Sequence, residues 1–84
     1  MEQENKQTVS NKIRNFILEA IRIPDLKDGD NLFETGIVNS LFAVQMMTYL
    51  EKTFGIQVTT DDLLIENFES IDSATSFVLR KKSN

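Results

Sequence analysis

The chain has no cysteine and no histidine among its 84 residues. Without cysteine it has no disulfide, no thiolate nucleophile and no zinc–thiolate centre, and nothing argues for an oxidising compartment. Without histidine the usual general base is missing, so no serine hydroxyl can be activated from within the chain. A single proline and three glycines disfavour turn-rich β structure and leave helix as the default. No apolar run approaches the ~20 residues of a membrane span. The polar start, Met1 to Thr8, lacks the apolar core of a signal peptide. The expectation is a cytoplasmic monomer with no membrane insertion.

What is present is an ordinary globular composition, 40% hydrophobic and 26% charged. It predicts one small domain over residues 1–84 with frayed ends at about 1–7 and 81–84. A chain of this size buries only about 60% of its unfolded surface, so the core is modest and a deep substrate cavity is not expected. Charge is unevenly spread. Residues 25–72 carry ten acids against Lys27 and Lys52, whereas the tail Arg80-Lys81-Lys82 is wholly basic. An acidic middle repels nucleic acid and suits protein partners or plain solvation.

Helical periodicity dominates. Val9, Ile13, Phe16, Ile17, Ala20 and Ile21 predict a helix from about Val9 to Ile23, capped by Thr8 or Ser10 and stopped by Pro24. Residues 24–39 read as a long loop pinned by Leu32 and Phe33. A second helix should run from Ser40 to Phe54 and end at Gly55, with Ala43, Met47, Leu50 and Phe54 as its core face and Met46 alongside. Leu41, Phe42, Gln45, Tyr49 and Lys52 then fall on or near the outer side. After an extended Ile56-Gln57-Val58, Thr59 or Thr60 caps a short helix through Glu66, and Ser70 opens the last one, with Ile71, Ala74, Phe77 and Val78 on one stripe. The fold class is all-α: three longer helices and one short one.

Asp28-Gly29-Asp30-Asn31 invites comparison with a calcium loop, and the comparison fails. With Asp28 third and Asp30 fifth, Leu26 stands first, Asn31 takes the glycine position and Ile37 the position of the bidentate acid. Asp61 and Asp62 diverge on a helix, and Glu66 is a surface neighbour of Asp62, so no acid–base pair is assembled. Neither metal nor catalytic residues are expected. The remaining candidate is Ser40, preceded by Asn39 at the start of the second helix. Asn39 or Ser40 can cap that helix. Exposed N–H groups and the positive end of the dipole also favour a phosphate ester on a hydroxyl placed there.

The segment Leu32-Phe33-Glu34-Thr35-Gly36-Ile37-Val38-Asn39-Ser40-Leu41 resembles the prosthetic-group attachment motif of acyl carrier and peptidyl carrier proteins. Phe54-Gly55-Ile56-Gln57-Val58 and Glu66-Asn67-Phe68-Glu69-Ser70-Ile71 resemble that family's steps after the second helix and into the last. The resemblance implies an acyl-carrier-protein-like bundle of the freestanding type, not an enzyme. A phosphopantetheinyl transferase would move 4'-phosphopantetheine from coenzyme A to the Ser40 oxygen. Acyl- or aminoacyl-loading enzymes and downstream synthases would then use its thiol. It also implies a recognition face on the second helix: Leu41, Gln45, Thr48 and Lys52 by position, with Phe42 and Tyr49 added from the helical wheel.

Three departures bear on the subtype. Asn39 stands where the family usually has the Asp that helps a transferase hold its metal. Gln45 and Lys52 replace acids common in fatty-acid carriers, and the basic tail is unlike theirs. These point to a dedicated polyketide or nonribosomal-peptide type of pathway. A D-alanyl carrier for cell-wall polymers, or an unmodified adaptor binding through Leu41, Phe42 and Tyr49, are the competing readings.

Overall fold

The computed structural model describes residues 5–21, 25–34 and 39–83. Among them there are four α-helices, α1 (Lys6–Ile21), α2 (Ser40–Phe54), α3 (Ile65–Phe68) and α4 (Ile71–Ser83), with a 3₁₀ turn at Thr60–Asp62. The all-α expectation holds, and α2 has the expected bounds.

α1 begins earlier than expected because Asn5, rather than Thr8 or Ser10, supplies the cap. The Asn5 side chain accepts the Thr8 N–H at 2.8 Å, and its carbonyl accepts the Val9 N–H at 2.9 Å. Ser10 lies inside the helix, buried, with its hydroxyl donating to the Gln7 carbonyl. Lys6 and Gln7 are therefore helical, and α4 continues through Lys81 to Ser83. Val9, Ile13 and Ile17 are buried, but Ala20 is exposed and drops out of the expected stripe. Ile23 and Pro24, the expected end and stop of this helix, lie outside the described residues.

The core joins this stripe to Phe42, Met46, Leu50 and Phe54 of α2, Phe68 of α3, and Ile71, Ala74, Phe77 and Val78 of α4. The α2 face is a straight i, i+4 row, rotated from the one expected. Phe42 is 7% exposed and fully part of the core, whereas Ala43 and Met47 are only half-buried. The cause lies on α1. Phe16 stacks on Phe42 at 5.7 Å between ring centroids and on Tyr49 at 4.3 Å, and the Tyr49 hydroxyl donates to the Lys12 carbonyl at 3.0 Å. Aromatic pairs of this geometry add to burial and draw that side of α2 inward. Hydrophobicity counted on α2 alone has no access to the ring waiting on α1.

The loop after α1 is held by hydrogen bonds to two helices. Arg14 donates to the Leu26 carbonyl and pairs with Asp28. The Asp28 carbonyl accepts the Asp72 N–H at 2.9 Å, and the Glu69 carbonyl accepts the Leu32 N–H at 2.6 Å. Leu26 and Leu32 are buried and Phe33 is half-buried, so Leu32 and Phe33 pin the loop as expected. The acidic stretch serves turns. Asp30 accepts the Lys27 N–H, and the Asn31 side chain accepts the N–H groups of Phe33 and Glu34. At the far end of α2, Gly55 adopts φ 67° and its N–H bonds to the Glu51 carbonyl. This left-handed stop favours glycine.

α4 is capped by Ser70, whose hydroxyl oxygen accepts the Ser73 N–H at 3.0 Å. Its last turn carries Arg80, Lys81 and Lys82, the cationic end that complements the helix dipole.

Candidate functional site

At the start of α2 the capping and the exposed hydroxyl belong to different residues. Asn39 takes the cap: its backbone is extended, its side-chain Oδ1 accepts the Phe42 N–H at 3.1 Å, and its carbonyl accepts the Ala43 N–H at 3.1 Å. Ser40 is the first helical residue and is exposed, and among the described residues none engages its hydroxyl. Nor does a described residue accept from the N–H groups of Ser40 or Leu41. A hydroxyl and N–H groups that no described residue engages thus sit at the positive end of a 15-residue helix, which contains no acid in its first turn. That is a favourable place for a phosphate ester. Gly36, Ile37 and Val38, the preceding part of the motif, lie outside the described residues.

Beside Ser40 opens a cleft of ≈ 210 Å³, lined by Phe33, Ser40, Ala43, Val44 and Met47 on one side and by Leu63, Leu64, Ile65 and Phe68 on the other. Apart from the serine its lining is apolar. Of Leu41, Val44, Leu63, Leu64 and Ile65, the large apolar residues left exposed among those described, all but Leu41 line this cleft, and Leu41 follows Ser40 in the chain. Val44 and the Leu63-Leu64-Ile65 triplet did not feature among the expected site residues. One signal for them is in the sequence. On the expected short helix three consecutive apolar residues would point about 100° apart and could not all face inward; in the structure Leu63 and Leu64 instead form a non-helical step between the 3₁₀ turn and α3.

The expected recognition residues separate into two groups. Leu41, Gln45, Thr48 and Lys52 are exposed on α2. Phe42 and Tyr49 are not outward-facing, a correction to the expectation. Phe42 is core, and Tyr49 is half-buried with its ring against Phe16 and its hydroxyl occupied. The other α2 residues that departed from a carboxylate, Gln45 and Lys52, leave the outer face of the helix without an exposed acid. Glu51 is half-buried, and its side chain accepts the Val58 N–H at 2.8 Å.

No group of three or more Asp, Glu, His or Cys side chains that could hold a metal occurs among the described residues. One carboxyl is clearly perturbed. The Lys81 ammonium, bonded to Asp62 at 2.7 Å, holds it at about 2 from an ordinary 3.8, with help from the Thr59 N–H. This is a structural ion pair some distance along the chain from Ser40.

A small helical bundle that presents a serine hydroxyl at a helix start beside an apolar cleft is consistent with the carrier-domain fold implied by the attachment motif. The family model for the phosphopantetheine attachment site matches residues 11–78, so the chain belongs to that family. It is a carrier domain whose family bears 4'-phosphopantetheine covalently and works with phosphopantetheinyl transferases and synthases. A comparison with the curated proteins found no match. No helix among the described residues is long and apolar enough to cross a membrane.

Proposed function

We propose that Ser40 is the residue that carries 4'-phosphopantetheine, and that the domain holds acyl or aminoacyl groups for a dedicated polyketide or nonribosomal-peptide type of pathway. The observation that carries this reading is the division at the helix start. Asn39 caps α2, so the Ser40 oxygen stays exposed and no described residue engages it. When bound, the group supplies a terminal thiol for thioesters, chemistry that a cysteine-free chain cannot supply itself. Asn39 orients the first turn, Ser40 offers the oxygen, and the N–H groups of the first turn complement the negative phosphate. Proton removal falls to the transferase, because no described residue engages the hydroxyl as a base.

Leu41, Gln45, Thr48 and Lys52 form the face that partner enzymes read. The absence of exposed carboxylates on it favours partners other than those that recognise acidic fatty-acid carriers. The adaptor reading keeps Leu41 but loses two of its three anchor residues, since Phe42 and Tyr49 are committed to the packing of α1 on α2.

The test is intact-protein mass spectrometry after incubation with coenzyme A and a broad-specificity transferase. The wild type should gain the mass of a single phosphopantetheine, and Ser40→Ala should gain none while its helical circular dichroism is unchanged. A modified Ser40→Ala protein, or a wild type that no competent transferase modifies, refutes the assignment. Offering the modified protein to adenylating enzymes then separates the pathways: loading with D-alanine favours the cell-wall carrier.

A further inference from the structure

The three consecutive cations at the end of α4 each reach a different element. Arg80 donates to the Asn67 side-chain oxygen at 3.1 Å, Lys81 to the Asp62 carboxylate at 2.7 Å, and Lys82 to the Phe54 carbonyl at 3.1 Å. The first two bracket a short span, and within it lie Leu63, Leu64 and Ile65, the outer wall of the apolar cleft. The brackets are also tied to each other, since the Asn67 amide donates to the Asp62 carbonyl at 2.9 Å.

This wall has little support of its own. α3 is four residues long, far below the length at which a helix persists in isolation. Leu63, Leu64 and Ile65 are 51%, 49% and 64% exposed, so their burial anchors the span only weakly. Its packing anchor is Phe68, edge-on to Phe77 of α4 at 5.2 Å. The charged groups of Arg80 and Lys81 lie 5.9 and 6.0 Å from the centre of that same Phe77 ring. The Lys81 and Asp62 side chains are only 23% and 20% exposed, which limits screening of the pair by salt.

We infer that Arg80 and Lys81 form a latch: from the last turn of α4 they hold the outer wall of the cleft beside Ser40, so that the wall is carried by α4 and can loosen without disturbing α1 or α2. They are positioning residues, acting through Asn67 and Asp62. Their bearing on a group attached to Ser40 rests on the function proposed above. The latch itself belongs to the unmodified chain, so the two ideas can fail separately.

Backbone amide hydrogen exchange of the unmodified full chain, followed residue by residue by NMR, tests it. The wall contains three hydrogen-bonded reporters: the N–H groups of Leu63, Leu64 and Asn67, bonded to the carbonyls of Thr60, Asp62 and Leu64. In Arg80→Met/Lys81→Met, which keeps the apolar stems, exchange at these sites should accelerate about tenfold, the scale expected on losing two partly exposed polar ties. Exchange at Met46 and Val78 in the core should change by less than about twofold, within the effect of a distant surface substitution. Lys81→Arg, which keeps charge and reach, should stay close to wild type, and Lys82→Met, whose tie goes to α2, should leave the wall as it was. Unchanged wall amides in the double variant would overturn the latch. So would acceleration of wall and core in equal proportion, which would reveal a general loss of stability.

Discussion

Replacing Asn39 by Ala removes the acceptor of the Phe42 N–H and should destabilise the protein by about 1 kcal/mol in urea denaturation. Ser40→Ala takes away a hydroxyl that no described residue uses and should change stability by less than about 0.5 kcal/mol, although it abolishes modification under the proposed function. The sequence placed both residues at the helix start but did not say which one capped it. Either type caps well, and only the path of the backbone decides which side chain reaches the third N–H. A second residue tests the same logic in the core. The Thr75 hydroxyl is buried without a hydrogen-bond partner among the described residues, and the residue is 1% exposed. Thr75→Val keeps the shape and relieves an unsatisfied polar group, so it should raise the urea midpoint, by up to about 1 kcal/mol in stability.

Among the helices, α2 is the one whose ends were legible and whose orientation was not. Asn39 and Gly55 mark its limits by local chemistry alone. Its rotation about its own axis depends on Phe16, which is 26 positions upstream of Phe42, and no count of apolar residues within the helix reports that. The consequence is measurable. Phe42→Ala should cost about 3 kcal/mol in chemical denaturation, whereas Leu41→Ala, 65% exposed, should cost less than about 0.5 kcal/mol. The short segment before α4 has its own pH signature. The Lys81 hydrogen bond lowers the Asp62 carboxyl from 3.8 to about 2. A depressed carboxyl stabilises the fold fully above its ordinary value, and that contribution fades as pH falls from there through about 2. In acid titrations of stability, Asp62→Asn should therefore show a shallower loss than wild type between about pH 4 and pH 2.

At the scale of the molecule, four of the ten acids in the middle of the chain hold loops and turns in place. Asp28 pairs with Arg14, Asp30 closes a turn, Glu69 receives both Asn31 and the Leu32 N–H, and Asp62 receives Lys81. The helix count, the core stripe of α4 and the family could all be read in advance. The cleft could not, because its two walls come from α2 and from the Leu63 to Phe68 segment, and their spacing is fixed by contacts each makes elsewhere.

Tyr49 is the single tyrosine of a chain that has no tryptophan, and it is wedged against Phe16 and edge-on to Phe54 with its phenol engaged. The protein therefore carries one phenol chromophore, absorbing at longer wavelength than its six phenylalanines, at the seam between α1 and α2. Its near-ultraviolet dichroism and its fluorescence should report the docking of those two helices without a label. Both signals should collapse in Phe16→Ala while far-ultraviolet helicity falls much less.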